Sequence, residues 1–140
     1  MILIIGGAFQ GKKEYAKKTF GLKEEEFVEK TFSLKEEDFT DGACCTEEEL
    51  YQAKAVLHFH EFVRRNLKEG RDIGGMAERI LQKNPSVILL CNELGSGVVP
   101  VEAFDREWRE ATGRLCCRLA AEAEEVHRVV CGIGMVIKHG

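Results

Sequence analysis

Met1-Ile2-Leu3-Ile4-Ile5-Gly6-Gly7-Ala8-Phe9-Gln10-Gly11-Lys12-Lys13 opens the chain, and its reading decides the fold. Ile2 to Ile5 is an uninterrupted apolar run, which suits a strand buried on both faces better than an alternating edge strand. Gly6 and Gly7 end it. The next segment, Lys12 to Phe20, is rich in helix formers, with Tyr15, Ala16 and Thr19 set inward and Gly21 as its stop. Strand, turn and helix in that order indicate an α/β domain whose first strand lies in the middle of its sheet.

The turn fits G-x-x-x-x-G-K from Gly6 to Lys12, between a buried strand and a helix, which is where that pattern carries chemistry. Successive backbone N–H groups in such a loop converge on an anion, and the helix amino terminus adds positive potential. Gly6, Gly7, Ala8, Phe9, Gln10, Gly11, Lys12 and Lys13 are therefore expected to hold the phosphates of GTP or ATP, with Lys12 reaching the terminal ones. The alternative is a glycine-rich turn with an exposed lysine, and position and register favour phosphate binding over it. Position 13 departs from the pattern, because a Ser or Thr hydroxyl there binds the magnesium that bridges the terminal phosphates. Lys13 cannot ligate a metal. Either a carboxylate such as Asp41 or Glu93 holds magnesium, or catalysis has weakened.

A second constellation, Asn92-Glu93-Leu94-Gly95-Ser96-Gly97-Val98-Val99-Pro100, follows the apolar run Val87-Ile88-Leu89-Leu90. Polar residues leaving a buried strand are where α/β folds place their sites. Gly95 and Gly97 allow close backbone approach, and Glu93 puts a carboxylate where a metal or an acceptor hydroxyl can meet it. The competing reading makes Glu93 a helix cap and the glycines a plain turn.

The rest of the chain reads as the frame. A short strand is expected near Phe27 to Phe32, among many charges. Thr46 followed by Glu47, Glu48 and Glu49 signals a helix start, and Leu50, Ala53, Leu57, His60, Val63 and Leu67 recur at helical spacing as far as Gly70, predicting one long helix. His58 and His60 fall inside that pattern and read as core or surface histidines. A helix over Ile73 to Gln82 follows, then one from Pro100 to about Ala123 with Phe104, Trp108, Ala111, Leu115 and Leu119 on its apolar stripe. Two closing strands are expected, Val126 to Cys131 and Met135 to Ile137.

With 140 residues, 44% of them hydrophobic, the chain is expected to form a single domain over 1–140. Its net charge of -4 gives no general attraction to nucleic acid or anionic membrane. The opening apolar run is far too short for a membrane span and has no basic leader, so a cytoplasmic location is expected. Six cysteines include the vicinal pairs Cys44-Cys45 and Cys116-Cys117, neither with the two-residue spacer that closes on zinc, so reduced, small buried hydrophobes are expected and no metal site.

The motifs together resemble one family. Ile5-Gly6-Gly7-Ala8 with Gly11-Lys12, Asn92-Glu93 through Pro100, Arg106, Arg109, Thr112-Gly113-Arg114, and Val129-Val130-Cys131-Gly132-Ile133-Gly134 through Lys138 are similar to the bifunctional adenosylcobinamide kinase and adenosylcobinamide-phosphate guanylyltransferase of cobalamin assembly. The resemblance implies a P-loop NTPase-like three-layer fold with a mostly parallel central sheet, a nucleoside triphosphate donor, a cobinamide-type acceptor and a homotrimer. Lys12, with Glu93 or Asp41, would then serve catalysis. Two departures stand out: the family's loop ends Gly-Lys-Ser where this one ends Gly11-Lys12-Lys13, and the family's basic segment bearing the guanylylated histidine has no counterpart. Kinase chemistry without covalent guanylyl transfer is therefore expected, against a non-catalytic nucleotide-binding regulatory or structural relative.

Overall fold

The computed structural model describes residues 1–20, 34–95 and 99–139. Strand β1 (Ile2–Gly6) leads through the glycine turn to helix α1 (Lys12–Phe20). Strand β2 (Phe39–Asp41), helix α2 (Glu47–Gln52), strand β3 (Ala55–Leu57) and helices α3 (Phe59–Lys68) and α4 (Met76–Lys83) follow. Strand β4 (Ile88–Asn92), helix α5 (Ala103–Glu122) and strands β5 (Glu125–Val130) and β6 (Ile133–His139) complete the order.

One six-stranded sheet runs β2-β3-β4-β1-β5-β6, with every neighbouring pair parallel except β5 and β6. The apolar run of β1 sits near its middle, Ile2 paired with Ile88 on one side and Glu125 on the other. Alternation along β1 then feeds two cores. Leu3 packs with Phe59, Val63, Ile80, Leu115 and Leu119 from α3, α4 and α5, while Ile4 faces Ala16 of α1 beside Ile88, Leu90 and Val129. Helices on both faces of a mostly parallel sheet make the three-layer α/β architecture that the opening motif implies. Leu3 and Ile4 are each no more than 1% exposed, so each contributes about 1.5–3 kcal/mol of burial.

Several elements differ from the expectation. The predicted long helix is two helices with a strand between: α2 keeps the Thr46 cap, whose hydroxyl accepts the Glu49 N–H while Glu49 returns a bond to the Thr46 N–H, but the chain leaves the helix at Ala53. Ala55 and Val56 are consecutive and fully buried, which a one-sided helix cannot provide and a strand inside a sheet can. In α1, Ala16 is buried but Thr19 faces solvent. The strand expected at Phe27 to Phe32, and Gly21, lie outside the described residues; β2 instead takes Phe39–Asp41. Among the described residues no helix is long and apolar enough to cross a membrane. Cys45 and Cys91 are buried, whereas Cys44, Cys117 and Cys131 are exposed.

Candidate phosphate-binding site

The glycine turn leaves β1 at the carboxyl edge of the sheet, and two contacts explain its glycines. A side chain at Gly6 would meet the Val129 carbonyl oxygen at 2.5 Å, a backbone atom that cannot move aside. Gly11 has φ +84° and lies 3.2 Å, measured from where its Cβ would stand, from Gly132, so left-handed backbone and close approach both demand glycine. Gln10 ties the loop to the turn between β5 and β6: its Oε1 accepts the Cys131 N–H at 2.6 Å and its carbonyl accepts the Gly132 N–H at 2.8 Å. Phe9, at φ 59°, is fully exposed at the tip. The amides of residues 8–13 have no hydrogen-bond acceptor among the described residues, so the amino end of α1 is open to an anion.

Lys12 stands at that helix start and folds back over the loop, donating to the Gly7 carbonyl at 2.7 Å and the Gly6 carbonyl at 3.4 Å. Burial lowers its pKa, against the raising influence of Cys91 and Glu93, which suits an ammonium waiting for an anionic partner. Loop and lysine form one wall of a cavity of about 290 Å³; Leu57, His58, Leu90 and Asn92, at the ends of β3 and β4, form the other.

That opposite wall contains what the sequence reading missed. His58 is not inside a helix. It sits between β3 and α3 in the left-handed conformation, φ 52° and ψ 46°, and its Nδ1 lies 3.0 Å from Oδ1 of Asp41 at the end of β2. The same Oδ1 accepts the Ala43 N–H at 2.9 Å. Burial raises the Asp41 carboxyl, but the Ala43 N–H, His58 and Arg65 outweigh it and hold its pKa below the usual range. The available signal was the consecutive apolar triplet Ala55-Val56-Leu57, which ends at His58. His60 is a core residue: its Nδ1 accepts the Asn92 N–H at 3.1 Å, its ring stacks on Trp108, and burial, then His58 and Lys12, lower its pKa to about 4. Asn92 is thereby fixed at the cavity wall.

Glu93 is engaged elsewhere. Both its oxygens accept from the Arg128 guanidinium, at 2.9 and 3.1 Å, and its N–H donates to the Gly6 carbonyl at 2.9 Å. It braces β4, β1 and β5 at the sheet edge and does not line the cavity facing the loop. A second cavity, of about 280 Å³, lies beyond it under α5, and Asn92 lines both. Of the glycines that follow, Gly95 accepts a bond from Arg109 through its carbonyl, while Ser96 and Gly97 lie outside the described residues.

Magnesium, which a P-loop fold implies, does not fit this donor set. Lys13 stands where the liganding hydroxyl belongs, and its ammonium pairs with Glu36, which also takes Lys17, and lies 5.6 Å from the Phe39 ring centre. Asp41 has committed Oδ1 to Ala43 and His58, and Glu93 has committed both oxygens to Arg128. Among the described residues no three His, Cys, Asp or Glu side chains converge as a metal site.

Comparison with known proteins brings in the rest of the chain. The family model described as cobinamide kinase / cobinamide phosphate guanyltransferase matches residues 48–137, which takes in the chain's middle and tail but not the loop of residues 6–13. Two curated proteins named bifunctional adenosylcobalamin biosynthesis protein CobU are similar over 52 residues, that of Salmonella typhimurium (strain LT2) at 50% identity and that of Escherichia coli (strain K12) at 48%. The matched stretch is 37% of this chain and 29% of each relative.

Proposed function

Because the chain belongs to the cobinamide kinase / cobinamide phosphate guanyltransferase family, we propose that it binds GTP or ATP on the loop of residues 6–13 and transfers the terminal phosphoryl group to a hydroxyl of a cobinamide-type acceptor. The observation that carries the reading is the open amino end of α1 with Lys12 over it, facing the ends of β3 and β4 across one cavity. On binding, the loop amides take the phosphate oxygens, and Lys12 exchanges its carbonyl contacts for the terminal phosphates, where charge develops in the transition state. Asn92, held by His60, and the second cavity beyond it offer a path for the acceptor. Covalent guanylyl transfer has no histidine of the family's kind to pass through, and the activity is proposed without it. The edge strand β6, with Ile133, Met135 and Ile137 exposed, is a surface suited to self-association, as in a homotrimer.

A second reading is a nucleotide-binding relative without turnover, favoured by one observation: Lys13 is paired with Glu36 at the position of the metal ligand. Calorimetric titration with GTP and ATP, followed by transfer of labelled phosphoryl to cobinamide, tests both readings. Lys12→Ala removes a charge-assisted contact worth about 1.5–3 kcal/mol, so affinity should fall roughly 10- to 100-fold. Unchanged affinity removes Lys12 from the site; binding without transfer selects the second reading.

A further inference from the structure

We propose that His58, positioned by Asp41, accepts the proton of the acceptor hydroxyl during phosphoryl transfer, an inference that rests on reading the cavity as a phosphotransferase site. Three observations meet at this side chain. Its backbone is left-handed although it is neither Gly nor Asn, a cost of about 1–3 kcal/mol that persists where a side chain must be aimed. The His58 carbonyl accepts the Glu61 and Phe62 N–H groups at 2.9 and 3.3 Å as α3 begins, while its side chain makes no capping bond to the helix. The side chain is left to lie against Asp41, on the wall that faces the glycine loop.

The Asp41 bond sets the tautomer. A carboxylate at 3.0 Å from Nδ1 keeps the proton there, which leaves the lone pair on Nε2, and Nε2 has no partner among the described residues. A plain surface ion pair would need neither the strained backbone nor the place in the cavity, and it contributes at most about 1 kcal/mol. The charged and titratable groups around the ring are Asp41 from β2, His60 from α3 with ring centres 6.0 Å apart, and Lys12, Lys13 and Glu14 from α1 across the cavity.

The step balances without a further reactant. The acceptor oxygen forms a bond to the terminal phosphorus as the bond from that phosphorus to the bridging oxygen breaks. The electron pair leaves on the nucleoside diphosphate, opposite Lys12 and the loop amides, and the hydroxyl proton passes to Nε2 of His58, which returns it to solvent. His58 is the catalytic residue of this step and Asp41 its positioning residue.

The test uses the full chain, with nucleotide titration run first on wild type, His58→Asn and Asp41→Asn, then phosphoryl transfer from labelled GTP or ATP to cobinamide across pH 5–9. Asn tolerates the left-handed backbone, and circular dichroism checks that each variant folds. His58→Asn should bind nucleotide within about threefold of wild type yet lose on the order of 100-fold or more in kcat, together with the acid limb of the pH profile. Asp41→Asn should lower kcat about tenfold while nucleotide affinity stays within about threefold of wild type, because the ring loses the carboxylate that holds the Nδ1 proton and aims Nε2. A His58→Asn kcat within about threefold of wild type overturns the proposal, as does an equal loss in nucleotide affinity and kcat, or an acid-labile nucleotide on His58. Wild type that binds nucleotide but transfers nothing overturns it too, whereas wild type that fails the first titration brings down the nucleotide site itself.

Discussion

Lowering the pH should unfold this chain partly through one buried histidine. His60 is 4% exposed and has its pKa lowered to about 4 by burial, with His58 and Lys12 adding to the effect and Asp41 opposing it. In the unfolded chain it returns to about 6.5. Between those values the unfolded state holds a proton that the folded state does not, so stability is full above about pH 6.5 and falls as pH drops towards 4. The gap, at about 1.36 kcal/mol per pH unit, amounts to about 3 kcal/mol, of which about 2.5 is lost by pH 4.5. That is a large part of a typical stability of about 5–15 kcal/mol. Urea unfolding followed by circular dichroism at pH 7.5, 6.5, 5.5 and 4.5 measures it against His60→Asn, whose side-chain oxygen can still accept the Asn92 N–H. Ionisable groups away from His60 and its neighbours His58, Lys12 and Asp41 are common to both proteins and cancel in the comparison. The variant should show the shallower pH dependence, by about 2.5 kcal/mol at pH 4.5; parallel curves would refute the assignment of a buried neutral His60.

Three further outcomes are expected. Lys13→Ser places a hydroxyl where a P-loop binds magnesium, so millimolar magnesium should strengthen nucleotide binding and transfer in the variant more than in wild type; equal responses in calorimetry and in the transfer assay would count against that role for position 13. Incubation with labelled GTP should leave no acid-labile nucleotide on the protein, and a label mapping to His58 or His60 in a peptide digest would reverse this. Thr46→Ala removes a reciprocal cap from α2 and should cost about 1 kcal/mol in denaturant unfolding, so an unshifted midpoint would show that the cap carries no stability.

The opening strand, turn and helix are legible because three signals agree over a short stretch: continuous apolarity, glycines where backbone approaches backbone, and a helix-forming run. The helix α5 is legible for a similar reason, since Leu115 and Leu119 lie on one buried stripe. The stretch from Thr46 to Leu67 misleads, because Leu50, Ala53, His60 and Val63 are buried at spacings that suit one helix as well as two helices around β3. Two turns of amphipathic pattern carry across a three-residue strand without losing phase. Strand β2 is illegible because it is a short edge element whose three residues are all half-buried. The site inherits that limit. Lys12 and the glycine loop are contiguous and can be read together, whereas Asp41 and His58 meet only through the pairing of β2 with β3.

The place of β1 in the sheet has a consequence for how the chain is made. Its partners are β4 and β5, with Ile2 aligned to Ile88 and Glu125, so the strand that leads into the glycine loop leaves the ribosome before either partner is made. At roughly 5–20 residues per second its second neighbour follows on the order of ten seconds later. Until Ile88–Asn92 emerges, Ile2 to Ile5 is a short, uncharged, β-prone segment open on both edges, and until β5 follows it keeps one edge open, the kind of segment that associates with other chains. Closure of the sheet around β1 is thus a late event of high contact order, and the glycine loop, tied at Gln10 to Cys131 and Gly132, takes its shape only after the turn between β5 and β6 has been synthesised.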